Sequence, residues 1–190
     1  AKQNVSLLSK EGAITTGSNM TSTVGDIKAE ANGDVTTKGA LSAAQGSITA
    51  TSATGNVKVE KEATAANDVT LTAEAGSVTV NDAVTSTAGD VIATAGGDVT
   101  TSATATIHAN KNVKVTSTNG VVQTGGALTA ENESVTIKAN KDITANGAVQ
   151  AKKDVLLQSE VGAISAASTV AAETGNVEAK ANGNVTVKGA

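Results

Sequence analysis

Residues 67–80 read NDVTLTAEAGSVTV, and this stretch sets the pattern of the whole chain. Val69–Ala73 and Val78–Val80 alternate between apolar or small residues and polar ones, which is typical of β-strands with one buried face. Between them lies a corner that contains Gly76 and Ser77, residue types that favour tight turns. The stretch therefore predicts two short strands joined by a sharp corner.

The same pattern recurs along the chain with a repeat of about 21–22 residues, and each repeat holds three apolar anchors. The first anchors are Val5, Ile27, Ile48, Val69, Val91, Val113, Val135, Val155 and Val177. The second anchors are Ile14, Val35, Val57, Val78, Val99, Val122, Ile143, Ile164 and Val185. The third anchors, six residues after the second in every repeat, are Met20, Leu41, Ala63, Val84, Ala105, Leu128, Val149 and Val170. Three strands and three corners per repeat follow from this spacing.

A repeat of this length cannot bury its apolar face alone, but stacked copies can. Each strand then pairs in parallel with its equivalent in the next repeat, and the rest of the coil serves as the crossover. The sequence predicts an all-β fold, a three-sided parallel β-helix (β-solenoid) with coils of about 21–22 residues. We expect residues 1–190 to form one β-helical segment of a longer protein.

Composition excludes several classes of function. The 190 residues include no aromatic residue, no Cys and no Pro, and the 14 basic residues are all Lys. Without Cys there is no disulfide or thiolate site, and a net charge of −4 without Arg argues against nucleic acid. No apolar run is long enough to span a membrane, so membrane insertion is not expected.

Few residues are candidates for chemistry, and we predict no catalytic, cofactor-binding or metal site and no enzyme activity. His108 should point outward near a corner, without the neighbouring acid that a catalytic histidine needs. Glu60 and Glu62 flank Lys61, and Glu131 and Glu133 lie at another corner; such pairs could hydrolyse glycosides, but the surrounding aromatics and Arg are missing. Acids also precede strands one and two, where we expect them to accept local backbone N–H bonds: Asp26, Asp34, Asp68, Asp90, Asp98, Asp142 and Asp154.

Polar side chains are expected both inside and outside the coil. Inward Ser and Thr should lie near corners and bond backbone groups or each other, because an unpaired buried hydroxyl costs on the order of 1–3 kcal/mol. Outward Thr form partial columns on strands two and three, but Thr-x-Thr with both residues outward is not expected to recur, which disfavours ice binding. Outward Ile92 and Leu156 are three coils apart and should not form a patch.

Units such as Gly55-Asn56-Val57-Lys58-Val59 and Gly183-Asn184-Val185-Thr186-Val187 resemble the repeats of filamentous haemagglutinin-type proteins. These are large two-partner-secretion exoproteins of Gram-negative bacteria and include adhesins and contact-dependent inhibition proteins. The resemblance implies a right-handed helix, in line with the general crossover rule, export through an outer-membrane secretion partner, and a secreted or cell-surface location. It also implies a structural shaft that continues into other segments of the same exoprotein.

The sequence leaves a second function open. A face of the rod could itself bind a host-cell receptor, a glycan or a bacterial surface. The sequence names no receptor, and no functional residue is carried over from the resemblance.

Overall fold

A computed structural model describes residues 1–189, in which every regular element is a β-strand. The first strands of the coils are β1 (Val5–Ser9), β4 (Ile27–Ala31), β7 (Ile48–Ser52), β10 (Val69–Ala73), β13 (Val91–Ala95), β16 (Val113–Ser117), β19 (Val135–Ala139), β22 (Val155–Ser159) and β24 (Val177–Ala181). The second strands are β2 (Ile14–Thr16), β5 (Val35–Thr37), β8 (Val57–Val59), β11 (Val78–Val80), β14 (Val99–Thr101), β17 (Val122–Thr124), β20 (Ile143–Ala145), β23 (Ile164–Ala172) and β25 (Val185–Gly189). The third strands are β3 (Met20–Ser22), β6 (Leu41–Ala43), β9 (Ala63–Ala65), β12 (Val84–Ser86), β15 (Ile107–Ala109), β18 (Leu128–Ala130) and β21 (Val149–Ala151).

The strands form three parallel ladders, named here the first, second and third after their strands. Each strand pairs with its equivalent one coil later, for example Val69 with Val91 and Val78 with Val99. The first ladder is a sheet of nine strands. The other two ladders join in one sheet because β23 runs through the corner without a break and serves both. The predicted β-solenoid is confirmed, with nearly all its anchors in the expected register.

One predicted anchor is wrong. In the fifth coil the third strand begins at Ile107, which pairs with Val84 and Leu128, whereas Ala105 lies in the preceding corner. The corner after β14 is two residues longer than its equivalents, and Ala105 is buried within it. Because side chains alternate with a period of two, a shift by two residues keeps the same face inward.

The core is a stack of inward side chains along the axis of the rod. Val35, Val57, Val78 and Val99, which are consecutive in the second ladder, are each 0% exposed. The third position of that ladder is occupied by aliphatic residues in some coils and by threonine in others, for example Val80 and Thr101 in neighbouring coils. Since each coil contributes only a few small side chains, the apolar surface is buried between coils rather than within one.

Each inward serine at the end of a strand precedes one of the longer corners. Ser117 donates its hydroxyl to the carbonyl of Gly97 at 2.6 Å and accepts the N–H of Gly120 at 3.0 Å. Gly stands three residues after the serine each time, and the same N–H bond forms at Ser9, Ser22, Ser52, Ser86 and Ser159. Where the corner is one residue shorter, as from Ala31 to Val35, the position is alanine. The expectation that inward serines bond backbone near corners is confirmed.

Inward threonines hydrogen-bond backbone groups in some coils but not in others. Thr101 accepts the N–H of Gly125 at 3.0 Å. The hydroxyls of Thr16 and Thr124, at the same position of other coils, are buried without a partner among the residues described. The second ladder therefore contains the least satisfied polar groups of the core.

Glycine allows the corners of successive coils to pack closely against each other. None of residues 1–189 has a positive φ, so left-handed turns are not the reason for glycine here. A Cβ on Gly55 would lie 2.6 Å from the backbone N of Asp34 and 2.7 Å from the carbonyl carbon of Gly33. The corners stack too closely for a side chain at this position.

Candidate functional surfaces

The acids that precede strands bind the next coil. Asp68 Oδ1 accepts the N–H of Asp90 at 2.8 Å, and Asp90 Oδ1 accepts the N–H of Asn112 at 2.8 Å. The same bond forms at Asp26, Asp34, Asp98, Asp142 and Asp154. The expected acceptor role is correct, but the expectation of a local partner is wrong, since the donor lies one coil further along the chain. These carboxylates extend the backbone ladder into the corners.

His108 lies in the middle of β15 on the outer surface and is partly exposed, as predicted. Its ladder neighbours are Thr85 and Thr129. The predicted lack of a neighbouring acid is wrong, because Glu131 of the next coil brings Oε1 to 3.2 Å from His108 Nε2. Glu131 was missed because it lies in the next coil, far from His108 in sequence, and only the stacking of coils brings the two side chains together.

A strip of charged and amide side chains continues from His108 along the third ladder. We define the third-face strip as His108, Glu131, Gln150, Lys152 and Glu173. Lys152 Nζ lies 2.5 Å from Glu173 Oε1. A shallow depression of about 420 Å³ lies along this strip from Thr129 to Glu173, with small Ala171 at one side. Within residues 1–189, the strip brings the histidine, both signs of charge and an amide together in successive coils.

In each of the two predicted glutamate pairs, one glutamate binds a lysine. Glu60 Oε1 lies 2.9 Å from Lys58 Nζ, and Glu133 Oε2 lies 2.6 Å from Lys153 Nζ. The hydrogen bond from Lys58 and the nearby positive charges lower the pKa of Glu60 from its ordinary value of 4.5. The pKa of Glu60 is thus shifted away from the raised value that a general acid needs. Within residues 1–189 no three His, Cys, Asp or Glu side chains are grouped so as to hold a metal ion.

Outward threonines are more regular than the sequence predicted. Thr49 pairs with Thr70, and Thr51 pairs with Thr72, so that Thr-x-Thr faces outward in two adjacent coils. The expectation that this motif does not recur is therefore wrong. In the next coil Ile92 replaces the first threonine, which ends the paired array.

Ile92 and Leu156 line one depression of about 410 Å³ on the first ladder. Lys114 and Thr136 stand between them in the same outward column. The two apolar side chains are thus separated by polar ones and form no continuous patch, as expected.

Charge is distributed unevenly along the rod. Residues 63–110 contain five acids and no lysine: Asp68, Glu74, Asp82, Asp90 and Asp98. The remaining residues carry the 14 lysines and 13 acids, so the net charge of −4 arises in this middle section. Two of the five, Asp68 and Asp90, are neighbours in one coil-to-coil ladder.

Comparisons of the chain with protein-family models, with curated proteins and with solved structures find no match. In the part of the chain that the structure describes, no helix has the length and apolarity needed to cross a membrane. The fold defines the protein as a repeat protein of the β-solenoid class.

Proposed function

We propose that the chain is a structural shaft, a stiff spacer in a secreted bacterial surface protein that holds a distal functional module away from the cell. The observation that carries this proposal is the unbroken coil-to-coil register of the first ladder from β1 to β24. At roughly 4.8 Å per coil, such a stack makes a rod about 40 Å long.

The stiffness follows from how neighbouring coils are joined. Backbone hydrogen bonds connect the coils along three ladders, and bonds such as Asp68 Oδ1 to the Asp90 N–H add a fixed link at a corner. Bending the rod would stretch the bonds of one ladder and compress those of another. A shaft built in this way has no hinge in its registered part.

We also propose that the protein is a filamentous haemagglutinin-type exoprotein segment, as an adhesin or a contact-dependent inhibition protein. The support is the likeness of units such as Gly55-Asn56-Val57-Lys58-Val59 to that family's repeats. On this proposal the chain crosses an outer-membrane pore, the secretion partner, before it folds. It then stands on the surface of a Gram-negative bacterium. Each coil can template the next as the chain emerges.

Coil duplication tests the shaft. Repeating residues 69–90 once or twice adds whole coils between matching strands, and each should lengthen the rod by about 4.8 Å, measured by small-angle scattering of the segment. In the intact exoprotein the distal module should stay active and move outward by the same amount. Loss of its activity on adding one well-folded coil would contradict a spacer role.

The third-face strip supports a second candidate, a binding module whose rod face contacts a host receptor or glycan. The depression is lined by Glu131, Gln150 and Lys152. These side chains offer both donors and acceptors for hydrogen bonds to sugar hydroxyls. A glycan array and a host-cell pulldown with the segment test this. Binding that is lost in a Glu131→Gln, Lys152→Gln variant but kept in a Thr49→Gln, Thr70→Gln variant would favour the strip. Equal results for both variants would argue against it.

A further inference from the structure

Four Asn-Gly pairs occur in the chain, and the fold treats one of them differently. Asparagine before glycine is prone to cyclisation, in which the glycine backbone nitrogen attacks the side-chain amide carbon. The reaction requires that nitrogen to lose its proton and the peptide plane to turn toward the side chain. A glycine N–H that is fixed in a hydrogen bond resists both changes.

Three pairs lie in the corner between the first and second ladders, and each of their glycine amides is bonded. The N–H of Gly33 donates to Gly12 O at 2.9 Å, and that of Gly183 donates to Gly162 O at 2.8 Å. The N–H of Gly120 donates to Ser117 Oγ at 3.0 Å. A hydrogen bond thus restrains the nitrogen that would attack each asparagine: a bond to the preceding coil beside Asn32 and Asn182, and a bond within the corner beside Asn119.

The fourth pair, Asn146-Gly147, lies in the corner between the second and third ladders. The N–H of Asn146 donates to Thr124 O at 2.8 Å, but the N–H of Gly147 has no acceptor among residues 1–189. Asn146 is exposed, and no hydrogen bond holds its side chain within the described part of the chain. The attacking nitrogen of this pair is therefore free of the hydrogen bond that restrains it at the other three pairs, whose asparagines are likewise exposed.

We propose that Asn146 is a site of spontaneous deamidation in the folded protein. The Gly147 nitrogen forms a bond to Asn146 Cγ, the bond from Cγ to the side-chain nitrogen breaks, and ammonia leaves with the proton that Gly147 gave up. Water then opens the succinimide at either carbonyl, which gives aspartate or isoaspartate. No enzyme or cofactor is required.

The modification changes the corner chemically. Both products add one negative charge at an exposed position beside the second ladder. Isoaspartate also lengthens the main chain by one carbon where the corner is tightly stacked, since a Cβ on Gly147 would lie 2.7 Å from Ala127 N. The isoaspartate product should therefore loosen the contact between the sixth and seventh coils.

The four pairs serve as controls for one another. After incubation of the folded protein in mildly alkaline buffer, cleavage at lysine separates them into peptides 29–38, 115–138, 142–152 and 181–188. Mass spectrometry should show conversion at Asn146 at least about fivefold faster than at the other three, the ratio set by one net hydrogen bond. In denaturant the four rates should become similar, because the residue after each asparagine is the same.

Two results would overturn the proposal. One is equal conversion at Asn146 and Asn119 in the folded protein. The other is a deamidation rate at Asn146 in the folded protein that is no higher than the rate at Asn32, when the two rates in denaturant are equal. An Asn146→Gln variant, whose side chain forms the ring far more slowly, should lose the acidic species seen on isoelectric focusing of the aged protein. Persistence of that species would place the modification elsewhere.

Discussion

The inner and outer walls of the rod follow different rules, although their residues alternate along the same strands. The inward residue that opens the second strand is Val or Ile in every coil. Its outward neighbour is Thr in most coils, but Lys58, Gln123 and Ser165 also occupy that column. The interior is restricted to a few shapes, while the exterior accepts charge, amide or hydroxyl.

The difference has a physical cause. An inward side chain touches its equivalents in the coils on both sides, so its volume must suit two neighbours. An outward side chain contacts its column mates along the surface and keeps access to water, where a change of chemistry costs little. The fold thus depends on the inner columns, which leaves the outer columns free to vary.

The largest expected effect comes from placing a charge on each wall in turn. Val78→Asp puts a carboxylate at a site that is 0% exposed, and we expect a loss of at least about 4 kcal/mol of unfolding free energy. Thr79→Asp, one residue away on the outward face, should cost less than about 1 kcal/mol. Urea unfolding followed by circular dichroism measures both. Similar losses for the two variants would break the distinction between the walls.

Sequence alone predicted the inner wall well because alternation and a fixed repeat define it. The one anchor that was predicted wrongly is Ala105. Ala105 and Ile107 are two residues apart and both face inward, so only the length of the corner distinguishes them. The outer wall was less predictable. Contacts such as His108 with Glu131, or Asp68 with the Asp90 N–H, depend on register between coils rather than on any local motif.

The next largest effect concerns glycine in stacked and open corners. Gly55→Ala places a Cβ 2.6 Å from Asp34 N, and backbone displacement should cost about 2–3 kcal/mol. A Cβ at Gly17 would have no neighbouring atom within 4 Å. Gly17→Ala should therefore stabilise the folded protein by about 0.4–1 kcal/mol, because alanine reduces the conformational entropy of the unfolded chain. Paired thermal melts measure both changes. A harmless Gly55→Ala would show that the corners are not closely stacked.

The inward serines give a third comparison. Ser117→Ala removes a hydroxyl that bonds Gly97 O and the Gly120 N–H, and the unpaired groups should cost about 2 kcal/mol. The reverse change, Ala73→Ser, adds a hydroxyl at a long corner that has Gly76 three residues on, and should gain about 1 kcal/mol. Chemical denaturation of the two variants checks the signs. If both substitutions destabilise the protein, the hydrogen bonds of the serine hydroxyl do not stabilise the longer corner.

An unpartnered inward hydroxyl predicts the opposite sign. Thr124→Val replaces a buried hydroxyl without a partner by a methyl group of similar size, and should stabilise by about 1 kcal/mol. For a chain of this size that raises Tm by about 2–4 °C. Thr101→Val is the matched control one coil earlier in the same column, where the hydroxyl accepts the Gly125 N–H. The control should lose stability, so a gain in both variants would mean that hydroxyl bonding does not decide the effect.

The smallest expected effect lies on the outer wall, at the pair of Lys58 and Glu60. The hydrogen bond from Lys58, with the neighbouring positive charges, lowers the pKa of Glu60. The pair therefore contributes stability above the unfolded-state pKa near 4.5 and loses it as the pH falls through the folded-state pKa. In Glu60→Gln the melting temperature should decline slightly less on acidification than in the parent. Lys58→Gln should have the same effect, and the double variant should match either single one. A double variant whose effect is the sum of the two would show that the side chains act separately, as screened surface charges do.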